Sequence, residues 1–148
     1  MKEKLLISAC LCGKNTKYNG KNNLLLKLSD LEKSFDLHLI CPEVMGGLPI
    51  PRDPSEIKGD FVFSSQGKDV TKEYQLGAQR ALRIALKNDI RIALLKESSP
   101  SCGSFQVYNG EFTHEKIPGE GMTTKLLRKH NILVFNENQI TDLLNFIK

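Results

Sequence analysis

A chain of 148 residues with 40% hydrophobic and 26% charged residues has the length and composition of one ordinary folded domain, not of a disordered or fibrous protein. A domain of this size buries about two thirds of its unfolded surface and needs no disulfide to remain folded. No apolar run approaches the roughly 18 residues that a membrane span requires, so a cytoplasmic chain with reduced cysteines is expected.

The first apolar run, "KLLISAC", reads as a strand. In "NLLLKLSDLEKSF", Leu24, Leu25, Leu28 and Leu31 recur at helical spacing, so a helix follows. "LHLICPE" is a second strand ending at Cys41, because Pro42 holds the preceding residue extended and removes a backbone donor. From Pro42 to about Lys68 the glycines and prolines leave an irregular segment, apart from a short strand at "DFVFS". Compact domains keep so long a loop mainly to cover or line a site.

A helix is expected over Thr71 to Asn88, with Asp69 or Thr71 as its cap and Ala78, Leu82, Ala85 and Leu86 on one side. "IRIALLK" reads as a buried strand, "MTTKLLRKH" as a helix and "ILVF" as a strand. "NQITDLLNFI" is a final amphipathic helix through Ile140, Leu143, Leu144 and Ile147. This alternation predicts an α/β fold: one domain over residues 1–148, a mainly parallel sheet with helices on both faces, Rossmann-like. Ligands of such sheets bind beyond the carboxyl ends of the strands.

The four cysteines bear on that rule. Cys10 follows the first strand, Cys41 closes the second, and Cys102 lies just beyond "IRIALLK". Parallel strands point the same way, so these three thiols are expected at one edge of the sheet. Flanking glycines and free N–H groups, with Lys14, Lys17 or Lys96 nearby, would stabilise thiolates there. Spaced cysteines serve zinc, an iron–sulfur cluster or a core, and C-x-C at Cys10 and Cys12 lacks the usual zinc pairing. A charge of +4 with scattered lysines suits anionic small molecules or RNA, although a solvated lysine-rich face is the commoner meaning.

The blocks "SACLCG", "KYNG", "CPEVMGGLPIPRDPSEI", "GKDVT", "LLKESSPSCGS" and "IPGEGMTTKLLR" keep an order and spacing that resembles the thiouracil desulfidase family over roughly residues 5 to 135. The resemblance implies a 4Fe-4S cluster held by Cys10, Cys41 and Cys102 with one iron left open. It also implies hydrolytic, non-redox exchange of a thiolated pyrimidine's sulfur for water oxygen. On the same basis Glu43 handles the proton and water, Ser101 stands beside it, and Lys96, Ser99 and Arg52 are candidates to bind the polar groups of a thiolated base or nucleoside.

Cys12 stands where the family usually has an apolar residue; its alternatives are replacing a ligand or adding a fourth thiolate that closes the open iron, and packing is its expected role. His38, His114 and His130 lack ligand spacing and are read as structural. Two other readings remain: a persulfide on Cys102 carrying sulfur, and a metal- or cluster-binding module that docks on RNA.

Overall fold

The computed structural model describes residues 2–147. The first apolar run forms strand β1 (Glu3–Ser8), and the chain then tightens into a single 3-10 turn over Ala9–Cys12. Helix α1 (Leu28–Ser34) leads into β2 (Phe35–Ile40), and Pro42 opens the one-turn helix α2 (Pro42–Met45). A hairpin of β3 (Ser55–Lys58) and β4 (Phe61–Ser64) precedes the long helix α3 (Thr71–Lys87). Strand β5 (Ile92–Leu95) is followed by a second hairpin, β6 (Gln106–Tyr108) and β7 (Lys116–Pro118). Helix α4 (Met122–Lys129), strand β8 (Leu133–Asn136) and helix α5 (Ile140–Phe146) complete the order.

The central sheet has the order β2-β1-β5-β8 and is parallel throughout. Its side chains alternate between faces, as the pleat requires. Leu6, Ala93 and Leu95 pack with Ala81, Ala85 and Leu127 of α3 and α4 on one face. Leu5, Ile7, Ile92 and Leu94 pack with Leu31 and Leu143 of α1 and α5 on the other. This is the expected α/β sheet with helices on both faces. Among the described residues no helix is long and apolar enough to cross a membrane.

Three local expectations change. The leucine-rich segment is helical only from Leu28, and Leu24 and Leu26 lie exposed. The cause is backbone pairing, with Asn23 N donating to Cys10 O and Leu25 N to Leu11 O, which lays 22–27 along the 3-10 turn instead of coiling it. The long segment after Pro42 is more ordered than expected, since α2 and β3 lie in it beside the anticipated strand at 61–64. The β6–β7 hairpin was not anticipated, because its strands are three residues each and show no alternation long enough to read.

Helix α3 begins where expected. Asp69 Oδ1 accepts from the Thr71 N–H at 2.9 Å and from its hydroxyl at 2.6 Å. Those bonds hold the Asp69 carboxyl below its usual range.

Candidate functional site

Strands β1, β2 and β5 run parallel, and Ser8 pairs with Ile40 in register, so the segments after their ends open on one edge of the sheet. Cys10 lies in the 3-10 turn after β1, which Gly13 closes in a left-handed conformation. Cys41 is extended at φ −136°, ψ 96°, because Pro42 takes the first helical position of α2. Cys102, 5% exposed, stands in the loop after β5. All three face a single cavity of about 390 Å³ that Glu43, Arg52, Lys96, Ser99 and Ser101 also line. Cys12 does not: it packs on the α1/α5 side of the sheet and lines a separate groove with Lys14 and Leu28.

The thiols lie close enough to influence one another. Burial raises the Cys10 thiol, a hydrogen bond with Asn23 opposes it, and the neighbouring Cys41 adds to the rise. Burial pushes the Cys102 thiol up to about 12 despite hydrogen bonds from Ser101 and Ser8, and Cys10 contributes to the rise. At Cys10 and Cys102, burial therefore outweighs the stabilisation of thiolates expected from free loop N–H groups. At Cys102 the reason is explicit, since its N–H is already given to Ser99 Oγ at 2.7 Å. Thiols that are protonated in the bare chain give up those protons when they take a metal. Among the described residues no three His, Cys, Asp or Glu side chains converge as tightly as a one-ion chelate.

Beside the thiols, Glu43 sits in the first turn of α2 with each carboxylate oxygen held by a different partner. Arg52 Nε donates to Oε1 and Ser101 Oγ donates to Oε2, both at 3.0 Å. The guanidinium also donates to Thr16 O at 2.9 Å and Pro49 O at 3.2 Å, and the Arg52 N–H donates to Tyr18 O at 2.8 Å. Arg52, a substrate-binding candidate, thus has its guanidinium tied to the protein and is only 6% exposed along its side chain. Tyr74 of α3 is buried on the same cavity wall beside Glu43 and Ser55, and burial first and Glu43 second push its phenol well above the usual value.

The serine loop is equally ordered. Ser101 Oγ lies 3.5 Å from Cys102 Sγ and 3.2 Å from Ser99 Oγ. Ser8 Oγ accepts from the Lys96 N–H at 3.0 Å and lies 3.7 Å from Cys102 Sγ. Lys96 lines the cavity, but its ammonium pairs with Glu137 at 2.9 Å and donates to Glu97 O at 3.1 Å. One set of side chains therefore combines three sulfur donors with a carboxylate–hydroxyl pair able to hold and move a proton.

Some residues that build this wall carried no readable signal as site residues. Gly77, inside α3, touches the Pro42 carbonyl so closely that a Cβ there has no room, and Gly46 is pressed as tightly on Glu73 O. This contact fixes the turn bearing Cys41 and Glu43. Gly121 lies against the backbone of Ser101 and Cys102 with no space for a side chain. From there Met122 N donates to Pro100 O at 2.8 Å, Thr123 N to Ser101 O at 2.9 Å and Thr124 Oγ1 to Cys102 O at 2.9 Å. A glycine within a helix costs stability, so Gly77 offered a sign of close approach without naming its partner. His114, read as structural, lines the cavity with Tyr108, Phe112 and Lys116 from the unanticipated hairpin region.

Known proteins resemble this chain over nearly its whole length. The chain is 37% identical over 150 residues to the uncharacterized protein YbbK of Bacillus subtilis (strain 168), covering 95% of this chain and 99% of that protein. A solved structure of the 4Fe-4S-dependent thiouracil desulfidase TudS matches at a TM-score of 0.94 and 46% sequence identity, over 99% of this chain and 98% of that one. The family model described as 2-thiouracil desulfurase matches residues 5–139, a span that holds every side chain of the cavity. The chain therefore belongs to the 2-thiouracil desulfurase family.

Proposed function

We propose that this protein is a 4Fe-4S-dependent thiouracil desulfidase that removes sulfur by hydrolysis, with Cys10, Cys41 and Cys102 as the protein ligands of the cluster. Thiouracil and water give uracil and hydrogen sulfide, with no net change of oxidation state. The observation that carries the reading is the convergence of three thiols and the Glu43–Ser101 pair on one cavity. The donor set fits the group: three soft sulfur ligands from three chain segments line one cavity of about 390 Å³. The similarity to TudS, whose name states this cofactor and substrate, supports the same assignment.

When bound, the cluster supplies an iron without a protein ligand, a Lewis acid for the substrate sulfur. The chain's own groups do the rest. Glu43, braced by Arg52, accepts a proton from the water that attacks the ring carbon. Ser101, bonded to Glu43 Oε2, carries that proton toward the departing sulfur and orients the carboxylate. As the carbon–sulfur bond breaks and the carbon–oxygen bond forms, both water protons leave with the sulfide. Tyr74 and Ile40, both buried, line the cavity and offer apolar surface to the reacting ring.

A persulfide route through Cys102 fits less well. A sulfur carrier needs an accessible thiolate, whereas this thiol is buried and pushed up to about 12.

Protein purified without oxygen is expected to hold about four irons with matching sulfide and to convert thiouracil to uracil. Replacing Cys10, Cys41 or Cys102 by serine should abolish cluster and turnover together. Zinc in place of iron, or turnover without iron, would overturn the assignment.

A further inference from the structure

The loop between β5 and β6 carries Ser99, Ser101 and Cys102, and its two ends meet at one side chain, Glu97. Glu97 Oε1 accepts the N–H of Ser98 at 2.9 Å and of Ser104 at 2.7 Å. Glu97 Oε2 accepts the Ser104 hydroxyl at 3.1 Å and the N–H of Phe105 at 3.2 Å. Asn136, at the end of β8, donates Nδ2 to the same oxygen at 2.9 Å and to Ser104 Oγ at 2.8 Å. Glu137 Oε1 accepts the Glu97 N–H at 2.7 Å, joining the segment after β8 to the base of the loop.

Such a concentration of donors on one carboxylate is more than a turn requires. Ser98 is held at φ +72°, a conformation side chains rarely adopt, and its N–H is one of the bonds to Glu97. Burial opposes the charge on Glu97, but the N–H groups of Ser98, Ser104 and Phe105 and the Ser104 hydroxyl outweigh it and hold the carboxyl below its usual value. Glu97 and Ser98 border the cavity, but the partners of the Glu97 carboxylate are the loop's own N–H and hydroxyl groups and Asn136. These bonds close the loop across its base, so the direction of Ser101 and Cys102 depends on them.

We propose that Glu97, with Asn136 as its partner, is a positioning residue that presents Cys102 and Ser101 to the cavity. The proposal rests on the assignment of Cys102 as a cluster ligand. Groups that orient a ligand from behind commonly change metal retention or activity by about 10- to 100-fold when lost.

The test uses the full chain, purified without oxygen, as wild type, Glu97→Gln, and the double variant Glu97→Gln with Asn136→Asp. Glutamine puts an amide donor against Asn136 Nδ2, and aspartate at 136 restores an acceptor there, so the pair is rebuilt with its polarity reversed. Hydrogen–deuterium exchange of the 97–105 segment, iron per chain and the electron paramagnetic resonance spectrum of the reduced protein are measured beside turnover. The single variant is expected to exchange Ser104 and Phe105 faster, to lose iron retention or kcat by about 10- to 100-fold with a smaller change in KM, and to show an altered spectrum. The double variant should recover most of each.

Wild-type exchange, iron content and spectrum in Glu97→Gln would overturn the proposal. If the single variant does not fold, the double variant decides. A folded double variant with an exposed loop and lost iron rejects the pairing, and a protected, iron-retaining one supports it. A wild-type protein that holds no iron defeats the desulfidase reading separately, and exchange at Ser98, Ser104 and Phe105 then still decides whether Glu97 fixes the loop.

Discussion

Ser101 donates its hydroxyl to Glu43 at 3.0 Å, joining the loop after β5 to the first turn of α2 across the cavity. Because the pair lies beside the thiols without being among them, the proposed chemistry and cluster binding should separate. Glu43→Gln should lower turnover about 10²–10⁴-fold, and Ser101→Ala should also lower it, while iron per chain stays at the wild-type value. Anaerobic iron analysis beside thiouracil turnover checks both. Loss of iron in Glu43→Gln would recast Glu43 as a structural or ligand group.

Arg52 ties Glu43 to the loop that carries Thr16 and Tyr18. Lysine keeps the charge but cannot reproduce a fork that reaches Glu43, Thr16 O and Pro49 O together. Arg52→Lys should cost about 1–3 kcal/mol in urea unfolding, as buried acceptors lose their donors. It should also reduce kcat more than it raises KM, because it disturbs the carboxylate before the substrate.

Two glycines should behave as packing residues despite their distance from any reacting atom. A methyl at Gly77 meets the Pro42 carbonyl, and one at Gly121 meets Ser101. Each alanine variant should lose about 1–3 kcal/mol by overpacking, read as a lower urea midpoint at unchanged slope. Gly121→Ala should also retain less iron than wild type, since it displaces the backbone of Cys102 directly.

Cys12 gives the contrasting outcome. It lines a groove separate from the thiol cavity, and burial pushes its thiol up to about 11. Cys12→Ala should keep full iron content and turnover, with a small loss of stability from reduced packing. A cluster lost from Cys12→Ala would show that the ligand set extends beyond the cavity.

Acid should weaken the fold through Glu97 and Asp69. Both carboxyls are held below their ordinary values in the folded chain. Below those values the unfolded chain binds more protons than the folded one, so this stability is present above them and is lost as pH falls through the folded values. Urea unfolding at pH 7 and about pH 3.5 should show a steeper loss in wild type than in Glu97→Gln. Equal pH slopes would remove Glu97 as a source of acid sensitivity.

The parts of the molecule that are repetitive in sequence were the parts that could be read. Strand β5, buried at all four positions as an unbroken apolar run, and α3, with Ala78 and Ala85 in the core, were readable, although Leu86, expected on the same face, is exposed. The convergence of Cys10, Cys41 and Cys102 followed from parallel strands ending at one edge. The misread helix before Leu28 shows the limit, because helical spacing of leucines says nothing about the backbone pairing of 23–25 with the turn beneath it. Arg52 was legible as a site residue, but its commitment to Glu43 depends on how the chain folds back between Pro49 and Pro54. Tyr74 and Gly121 look like ordinary helix residues until their neighbours, distant in sequence, are in place.

The lining at residues 10, 41 and 102 is buttressed by Gly121 and, through Asn136, by the last strand. During synthesis the first two thiols emerge well before the wall that orients the third. The pocket is complete only when almost the whole polypeptide has left the ribosome. Under the proposed cluster assignment, iron and sulfide would enter only after this folding, and a truncated or stalled chain would present its thiols without the complete cavity.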